Sequence, residues 1–536
     1  MLILSFKPGH DGTIAAIDDG RLLFSFEAEK DSGLRYGQVT PELMVLAASK
    51  LDRVPDAIAI GGWYKGVRDV SDVSDNGLWP TSAGYFDGRD SSVSAGVGRF
   101  FGSQVRMFSS SHARSHVWGA FGMSGLPRGQ PAYCLVWEGA LGDFYEIDEN
   151  SAVRHLGTVL TYPGIRYQSI YGLADPSYSP SLNEPGRLGD AGKLMAIAAY
   201  SNRAPPTEVE ARFIDHVLSD SGYWHLLDKK SMKWSELIDV GVQSVAFKNF
   251  AGKFSDALFE RFYRFARTHL TKRLPLLIAG GCGLNCDWNS MWENTGLFET
   301  VFIPPCANDS GSAIGTAIDA QRYYTGQTTL AWSVYSGEEF AADVSIEPAG
   351  FSCEALDLGR LAAHLAAGKV VAWAQGRCEI GPRALGNRSL LAAPFSADMT
   401  VRLNGIKRRE GFRPIAPICM EEEAERLFGR ASPSPYMLHF CKVRSSELKA
   451  VTHVDGSARA QTVNRMQNPS IYDLLSRFRE ITGYGVLCNT SLNFNGRGFI
   501  NRTSDLIEYV STTDVDGFVE GNRLYMKLRK DGTFAR

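Results

Sequence analysis

Two runs of short apolar strands, each turned by glycine and each followed by helical sequence, limit this chain to few folds. Residues 2–6, 13–18 and 21–27 read as a β-meander, with Asp18-Asp19-Gly20 as a hairpin turn. Residues 133–137 (YCLVW), 144–147 and 152–160 repeat the pattern around a turn at 139–142. A sheet face must be covered, and helical sequence follows both meanders, so a duplicated α/β domain is predicted. Residues 275–280 (PLLIAG) read as a buried strand running into glycines, and 299–303 as another. Residues 312–323 read as a helix, with Ser310 or Asn308 as candidate N-caps.

Periodicity is lost over 326–355, which carries Pro348 and Gly350. This places a first domain at 1–335, a linker at 336–355 and a second α/β domain at 356–536. In the second, 361–367 reads as helix and 370–374 as strand. Residues 471–481 form one apolar helical face stopped by Gly483, and 486–488 a strand leading into NTSLNFNG. Two stretches read as long surface loops. Residues 62–98 carry Trp63, Tyr64, Trp79, Tyr85 and Phe86, and 172–192 hold three prolines. Such loops serve as lids or substrate pockets, or are plain surface excursions.

Composition narrows the class. With 536 residues, 44% apolar and 21% charged, the chain is globular and long enough to fold without disulfides or a structural metal. A net charge of -3 argues against a surface devoted to nucleic acid. No apolar run reaches the roughly 18 residues of a membrane span, and MLILSFKPGHDG lacks a signal-peptide n-region. Nine cysteines without a CxxC pair predict reduced thiols and a cytoplasmic protein.

Four constellations carry chemistry. His10, in Gly9-His10-Asp11-Gly12, sits on a turn between strands and can accept a proton near neutrality, or is simply a turn histidine. His112 and His116 share a helical face and can bind one metal ion, or are unrelated. Glu138 and Asp309, at strand ends, are candidate further ligands, and such a set suits Fe, Mn or Zn rather than Ca. Gly280, Gly281, Asn285 and Asn289 lie on a glycine run between strand and helix. They can cradle a nucleotide, with Lys193 reaching its phosphates, or make a tight turn. Eight Lys/Arg against three acids between residues 377 and 413 imply an anion site. Arg383 and Arg388, held among Gly and Pro, suit phosphate or carboxylate. Arg459, Gln461, Asn489, Ser491 and Asn493 add donors.

GHDGTIAAIDDG, SSHARSH, GDAGKLMAIAAY, GGCGLNCDWN, ANDSGSAIGTA, GRCEIGPRALGNRSLL, IKRREGFRPIAP, AVTHVDGSARAQTV and LCNTSLNFNG occur in this order. Over nearly its whole length the chain resembles the O-carbamoyltransferases of the nodulation-protein and antibiotic-tailoring family. FKPGHDG, LVWEG and GFINR look closest to the branch with the 3-hydroxymethylcephem carbamoyltransferases. The resemblance implies an actin/Hsp70-like N-terminal transfer domain and a C-terminal domain like threonylcarbamoyl-adenylate synthases. The latter would form carbamoyl adenylate from carbamoyl phosphate and ATP with Mg2+. The former would pass the carbamoyl group to a hydroxyl of a small molecule, with no nucleic acid or membrane partner. An actin-fold kinase and a tRNA-type carbamoyl transferase are the rival readings.

By position, the resemblance makes His10 the general base and His112, His116, Glu138 and Asp309 ligands of iron or another divalent transition metal. Glu138 stands where the family has Asp, and its extra methylene moves the carboxylate by roughly 1–1.5 Å. Arg35, Glu138, Gly139, Lys193, Gly280, Gly281, Asn285 and Asn289 match nucleotide contacts of the transfer domain. Arg383, Arg388, Lys407, Arg413, Arg459, Gln461, Asn489, Ser491 and Asn493 match the adenylating pocket, with Lys407 and Arg413 taking part in catalysis.

Overall fold

The computed structural model describes residues 1–63, 83–85, 93–179, 187–219, 229–344 and 350–528. Tyr64, Trp79 and Phe86 of the first expected loop, Pro180 and Pro185 of the second, and Pro348 of the expected linker lie outside the described residues. The chain forms two compact units, one of Met1–Gly125 with Pro304–Arg536, the other of Leu126–Ile303.

The first unit opens with a six-stranded sheet of β1 (Leu2–Lys7), β2 (Thr13–Asp18), β3 (Arg21–Glu27), β4 (Ala57–Gly61), β5 (Val93–Phe100) and β6 (Ser103–Ser110). Their order is β3-β2-β1-β4-β6-β5. β1 pairs antiparallel with β2 and parallel with β4, and the Lys7–Thr13 pair closes the ladder beside the His10 turn. Leu4, Phe6, Ile14, Ala16, Phe24, Phe26, Ile58 and Ile60 bury one sheet face, as the alternation requires. The β5–β6 hairpin corrects the long-loop reading of 62–98 from residue 93 onward. β5 is an edge strand in which Gly96 and Gly98 interrupt the apolar alternation and Val97 is exposed, so its pattern is weak.

The second unit repeats the topology. Its strands are β7 (Ala132–Trp137), β8 (Gly142–Ile147), β9 (Val153–Thr158), β10 (Leu276–Ala279) and β11 (Val301–Phe302). They run β11-β10-β7-β8-β9, with β7 antiparallel to β8 and parallel to β10. This is the duplicated α/β sheet expected. The 172–192 loop is shorter than predicted, because helix Pro163–Ala174 runs into it and helix Asp190–Ala198 starts within it.

The C-terminal part of the first unit holds an eight-stranded sheet. Val371–Ala374 lies parallel to Gly517–Glu520 and antiparallel to Arg388–Ala392. Val486–Ser491 lies between Arg388–Ala392 and Ala416–Met420. The boundary expected at 336–355 does not separate compact bodies. Bridges from Glu339 to Arg377 and from Ala341 to Arg502 bind the expected linker to the expected second domain. Arg377 also donates to the backbone oxygens of Leu23, Ser336 and Gly337, tying that segment to the first sheet. Among the described residues no helix is long and apolar enough to cross a membrane, and all nine cysteines are free thiols.

Candidate active site

Helix His112–Met123 follows β6 and is buried along its whole length. The Ser111 hydroxyl caps it by accepting from the Arg114 amide. Gly315 of helix Ser312–Thr325 lets the two helices touch, since a Cβ there would lie 1.8 Å from the Ser115 oxygen. Arg114 then donates from Nε (2.8 Å) and Nη2 (2.9 Å) to the two oxygens of Asp319 on that helix. This pair fixes the helix rotation and turns His112 and His116 to one side together.

The two Nε2 atoms are 3.2 Å apart, and Asp309 Oδ1 lies 3.5 Å from that of His112 and 3.3 Å from that of His116. Two imidazole nitrogens and a carboxylate oxygen, all buried and converging, need a cation among them or a proton between them. Burial pushes the Asp309 carboxyl up, but His112, Lys7, His116 and His10 together hold it well below the usual carboxylate range.

His10 is on the 8–12 turn, with its side chain 46% exposed. Its Nδ1 is 3.1 Å from Asp11 Oδ2 and its Nε2 is 3.7 Å from Asp309 Oδ2. Burial lowers its affinity for a proton, yet the Asp11 hydrogen bond and the Asp309 charge raise it above the ordinary histidine value. Lys7 is the residue that sequence reasoning passed over. Its ammonium donates to the His10 carbonyl (3.0 Å), lies 3.4 Å from Asp309 Oδ2 and sits 4.3 Å above the Trp63 ring. Tyr85 stacks on His112 at 4.4 Å, so two described aromatics of the expected 62–98 loop do line this site. The signal for Lys7 was its place at the end of a strand, two residues before a glycine turn.

In the second unit, Glu138 and Gly139 follow β7. Glu138 is buried and its carbonyl accepts from the Gly164 amide at 3.0 Å. Gly280 has φ of 95°, and a Cβ would lie 2.3 Å from the Trp137 oxygen, so the strand ends demand glycine there. Asn285 caps helix Cys286–Asn294 by accepting from the Asp287 and Trp288 amides. Asn289 donates to the Gly283 oxygen at 2.8 Å. Both asparagines therefore shape the glycine loop, with Gly281 opening its short 3-10 turn. Lys193 pairs with Asp190 at 3.1 Å on the same helix.

The basic region of the first unit divides into two groups. Arg377, Arg388 and Arg402 are structural. Arg388 is fully buried and its guanidinium makes five hydrogen bonds to oxygens of Gln375, Gly376, Asn387 and Asn501. It holds the loop before its strand, which corrects the expectation of a substrate contact: its donors are saturated by protein. Arg402 is held by Asp514 and Asp516.

The second group has little acid beside it. Lys407 is buried and donates to the Ser491 carbonyl (2.6 Å), the Asn493 carbonyl (2.8 Å) and Asn493 Oδ1. Burial, then the charges of Arg409, Arg413 and Arg35, pull its pKa well below that of an ordinary lysine. Arg409 is likewise lowered to about 9 by burial and by Arg413 and Arg459, with Glu410 opposing. Arg409 was counted among the eight basic residues of 377–413 but not singled out as a site residue. Arg35, expected at the transfer-domain phosphates, is among the charges that lower Lys407. Gln461 and Asn489 are joined at 3.0 Å and donate to the Leu385 and Ala384 carbonyls. They latch the loop that carries half-buried Arg383. Ser491 donates to Asn493 Oδ1 at 2.6 Å, completing the Lys407 contact.

The profile described as Carbamoyltransferase N-terminus matches residues 102–318, and that described as Carbamoyltransferase C-terminus matches 362–527. The chain is 46% identical to a 3'-hydroxymethylcephem-O-carbamoyltransferase of Streptomyces clavuligerus, over 98% of this chain and 99% of that one. It is 35% identical to nodulation protein U of Rhizobium tropici, over 93% of this chain and 92% of that one. Among solved structures, full-length HypF in its phosphate- and nucleotide-bound form matches with a TM-score of 0.37 and 11% identity, over 61% of this chain and 56% of that one. Two family profiles and relatives aligned end to end establish that this chain is an enzyme of the carbamoyltransferase family.

Proposed function

We propose that the protein is an ATP-dependent O-carbamoyltransferase acting on a hydroxymethyl group of a cephem-type antibiotic precursor. The observation that carries the reading is the cluster of Arg35, Lys407, Arg409, Arg413 and Arg459. After burial, the charges of Arg409, Arg413 and Arg35 lower the proton affinity of Lys407, and those of Arg413 and Arg459 lower that of Arg409, with Glu410 opposing. Such a cluster is built to receive a polyanion, as ATP with carbamoyl phosphate would be. There, water would split carbamoyl phosphate to phosphate and carbamate. A carbamate oxygen would then attack the α-phosphorus of ATP, giving carbamoyl adenylate and pyrophosphate.

At the other site, His10 takes the acceptor hydroxyl proton as the oxygen attacks the carbamoyl carbon, and the bond to the phosphate oxygen breaks to release AMP. His112, His116 and Asp309 would hold a transition metal, with Glu138 proposed as the fourth ligand. When bound, such an ion would neutralise the Asp309 charge that raises His10 and polarise a neighbouring oxygen. The cephem acceptor rests on the activity for which those relatives are named.

The test is product analysis with ATP, carbamoyl phosphate and a 3'-hydroxymethylcephem. The expected result is AMP formed only with carbamoyl phosphate present, together with an acceptor heavier by one carbamoyl group. ADP as the nucleotide product would instead indicate a kinase. For the metal, elemental analysis of purified protein is expected to give about one first-row transition ion per chain. His116→Ala is expected to lower that content and to reduce acceptor carbamoylation by about 10–100-fold, the usual cost of disturbing a metal's surroundings. Active protein without such an ion removes the metal from the scheme.

A further inference from the structure

Segment 27–39 runs from the end of β3 past the His10 turn, and the C-terminal part of the first unit grips it from the other side. On the His10 side, Ala28 donates to the Gly12 carbonyl at 2.8 Å, and Gly12 donates to that of Gly37 at 2.8 Å. Val39 donates to the Pro8 carbonyl at 3.1 Å. A Cβ on Gly12 would lie 2.4 Å from the Val39 nitrogen, so the turn and the segment touch at backbone distance.

On the other side the grip is equally close. The Lys30 ammonium, with only 3% of its side chain exposed, donates to Glu27 Oε1 (2.8 Å) and to the carbonyls of Glu379 (2.5 Å) and Gly381 (2.9 Å). The Gly381 amide returns a bond to Glu27 Oε1 at 2.6 Å. Gly498 donates to the Gly33 carbonyl, and a Cβ there would lie 1.8 Å from the Glu29 oxygen. Leu34 bridges Arg497, and Arg502 donates to the Asp31 carbonyl at 2.7 Å. The next residue after Leu34, Arg35, bears on Lys407.

A buried lysine gripping backbone carbonyls some 350 residues away is costly unless it fixes geometry. We propose that segment 27–39, anchored by Lys30 as a positioning residue, is a strap that couples the two sites. It holds the His10 turn in register with the adenylate-forming pocket, so that the carbamoyl group passes to the acceptor rather than to water. This rests on the two-step reading above. The Glu379 carboxylate separately accepts from the amides of Leu385, Asn387 and Arg388. The adenylating loop therefore keeps its own scaffold without Lys30.

The test measures AMP and carbamoylated acceptor in one mixture of full-length enzyme, ATP, carbamoyl phosphate and a 3'-hydroxymethylcephem. Lys30→Met with Glu27→Gln removes both charges and leaves no lone buried ion, and Gly498→Ala perturbs the same grip independently at a second place. Each is expected to keep releasing AMP while product per AMP falls about tenfold or more, as misplacement by about 1 Å commonly costs that or worse. Loss of AMP and product in equal proportion, or an unchanged ratio, overturns the strap and leaves the two-step reading standing. A wild-type chain that makes no AMP overturns both.

Discussion

Arg413→Ala is expected to lower carbamoyl phosphate-dependent AMP formation by about 10²–10³-fold, the range for removing one preorganised charge partner from a developing anion. The structure separates Arg413 from its basic neighbours. Arg388 is saturated by protein oxygens, and Lys407 grips Ser491 and Asn493. Arg413 has a side chain one-third exposed, with its acid neighbour Glu410 at 3.9 Å. On the proposed reading Arg413 meets substrate, whereas Lys407 shapes the Ser-x-Asn element. Lys407→Ala is expected to abolish the same half-reaction by releasing that element, with a fall in melting temperature that Arg413→Ala does not share. Carbamoyl adenylate supplied from outside should restore acceptor carbamoylation in Arg413→Ala. A variant that stays inactive with the intermediate present would show that this pocket does not confine itself to adenylate formation.

Local pattern carried the sequence reading a long way. Both meanders were legible because alternation and glycine turns are local. The helix predicted at 471–481 is Pro469–Thr482, stopped by Gly483 in the left-handed conformation. His112 and His116 were legible because four-residue spacing on a helix is itself a geometry. What failed depends on partners far along the chain. Lys30, in AEKDS, drew no reading, because its ligands are carbonyls of Glu379 and Gly381 far along the chain. Arg388 reads as a substrate arginine because Asn501, which holds it, is 113 residues away. At the expected linker, low periodicity over 336–344 marks irregular backbone, and its ties to Gly376, Cys378 and Asn501 have no local signal.

The His10 side chain carries the other large effect. An acceptor alcohol has a pKa far above neutrality, so its proton must leave as its oxygen attacks the carbamoyl carbon. Asp11 sits 3.1 Å from Nδ1, an arrangement that directs the Nδ1 proton to the carboxylate and leaves Nε2 as the basic nitrogen. The Lys7 ammonium holds the His10 carbonyl, and the strap's amides and carbonyls hold the rest of the turn, so the imidazole is fixed at its backbone while its ring edge stays open. Such anchoring suits the proposed role of a positioned base better than a mobile surface histidine would. His10→Ala and His10→Asn are expected to lower carbamoylated product by about 10²–10⁴-fold, the usual contribution of general-base catalysis. AMP release should persist, because the adenylating pocket has its own cations and does not use His10; the stranded intermediate is then lost to water. Metal content measured on the same variants separates a base from a structural support, since His10 lies beyond hydrogen-bond distance from Asp309 at 3.7 Å. Near-wild-type product from His10→Ala would reduce this residue to a turn former and leave a substrate phosphate oxygen as the proton acceptor.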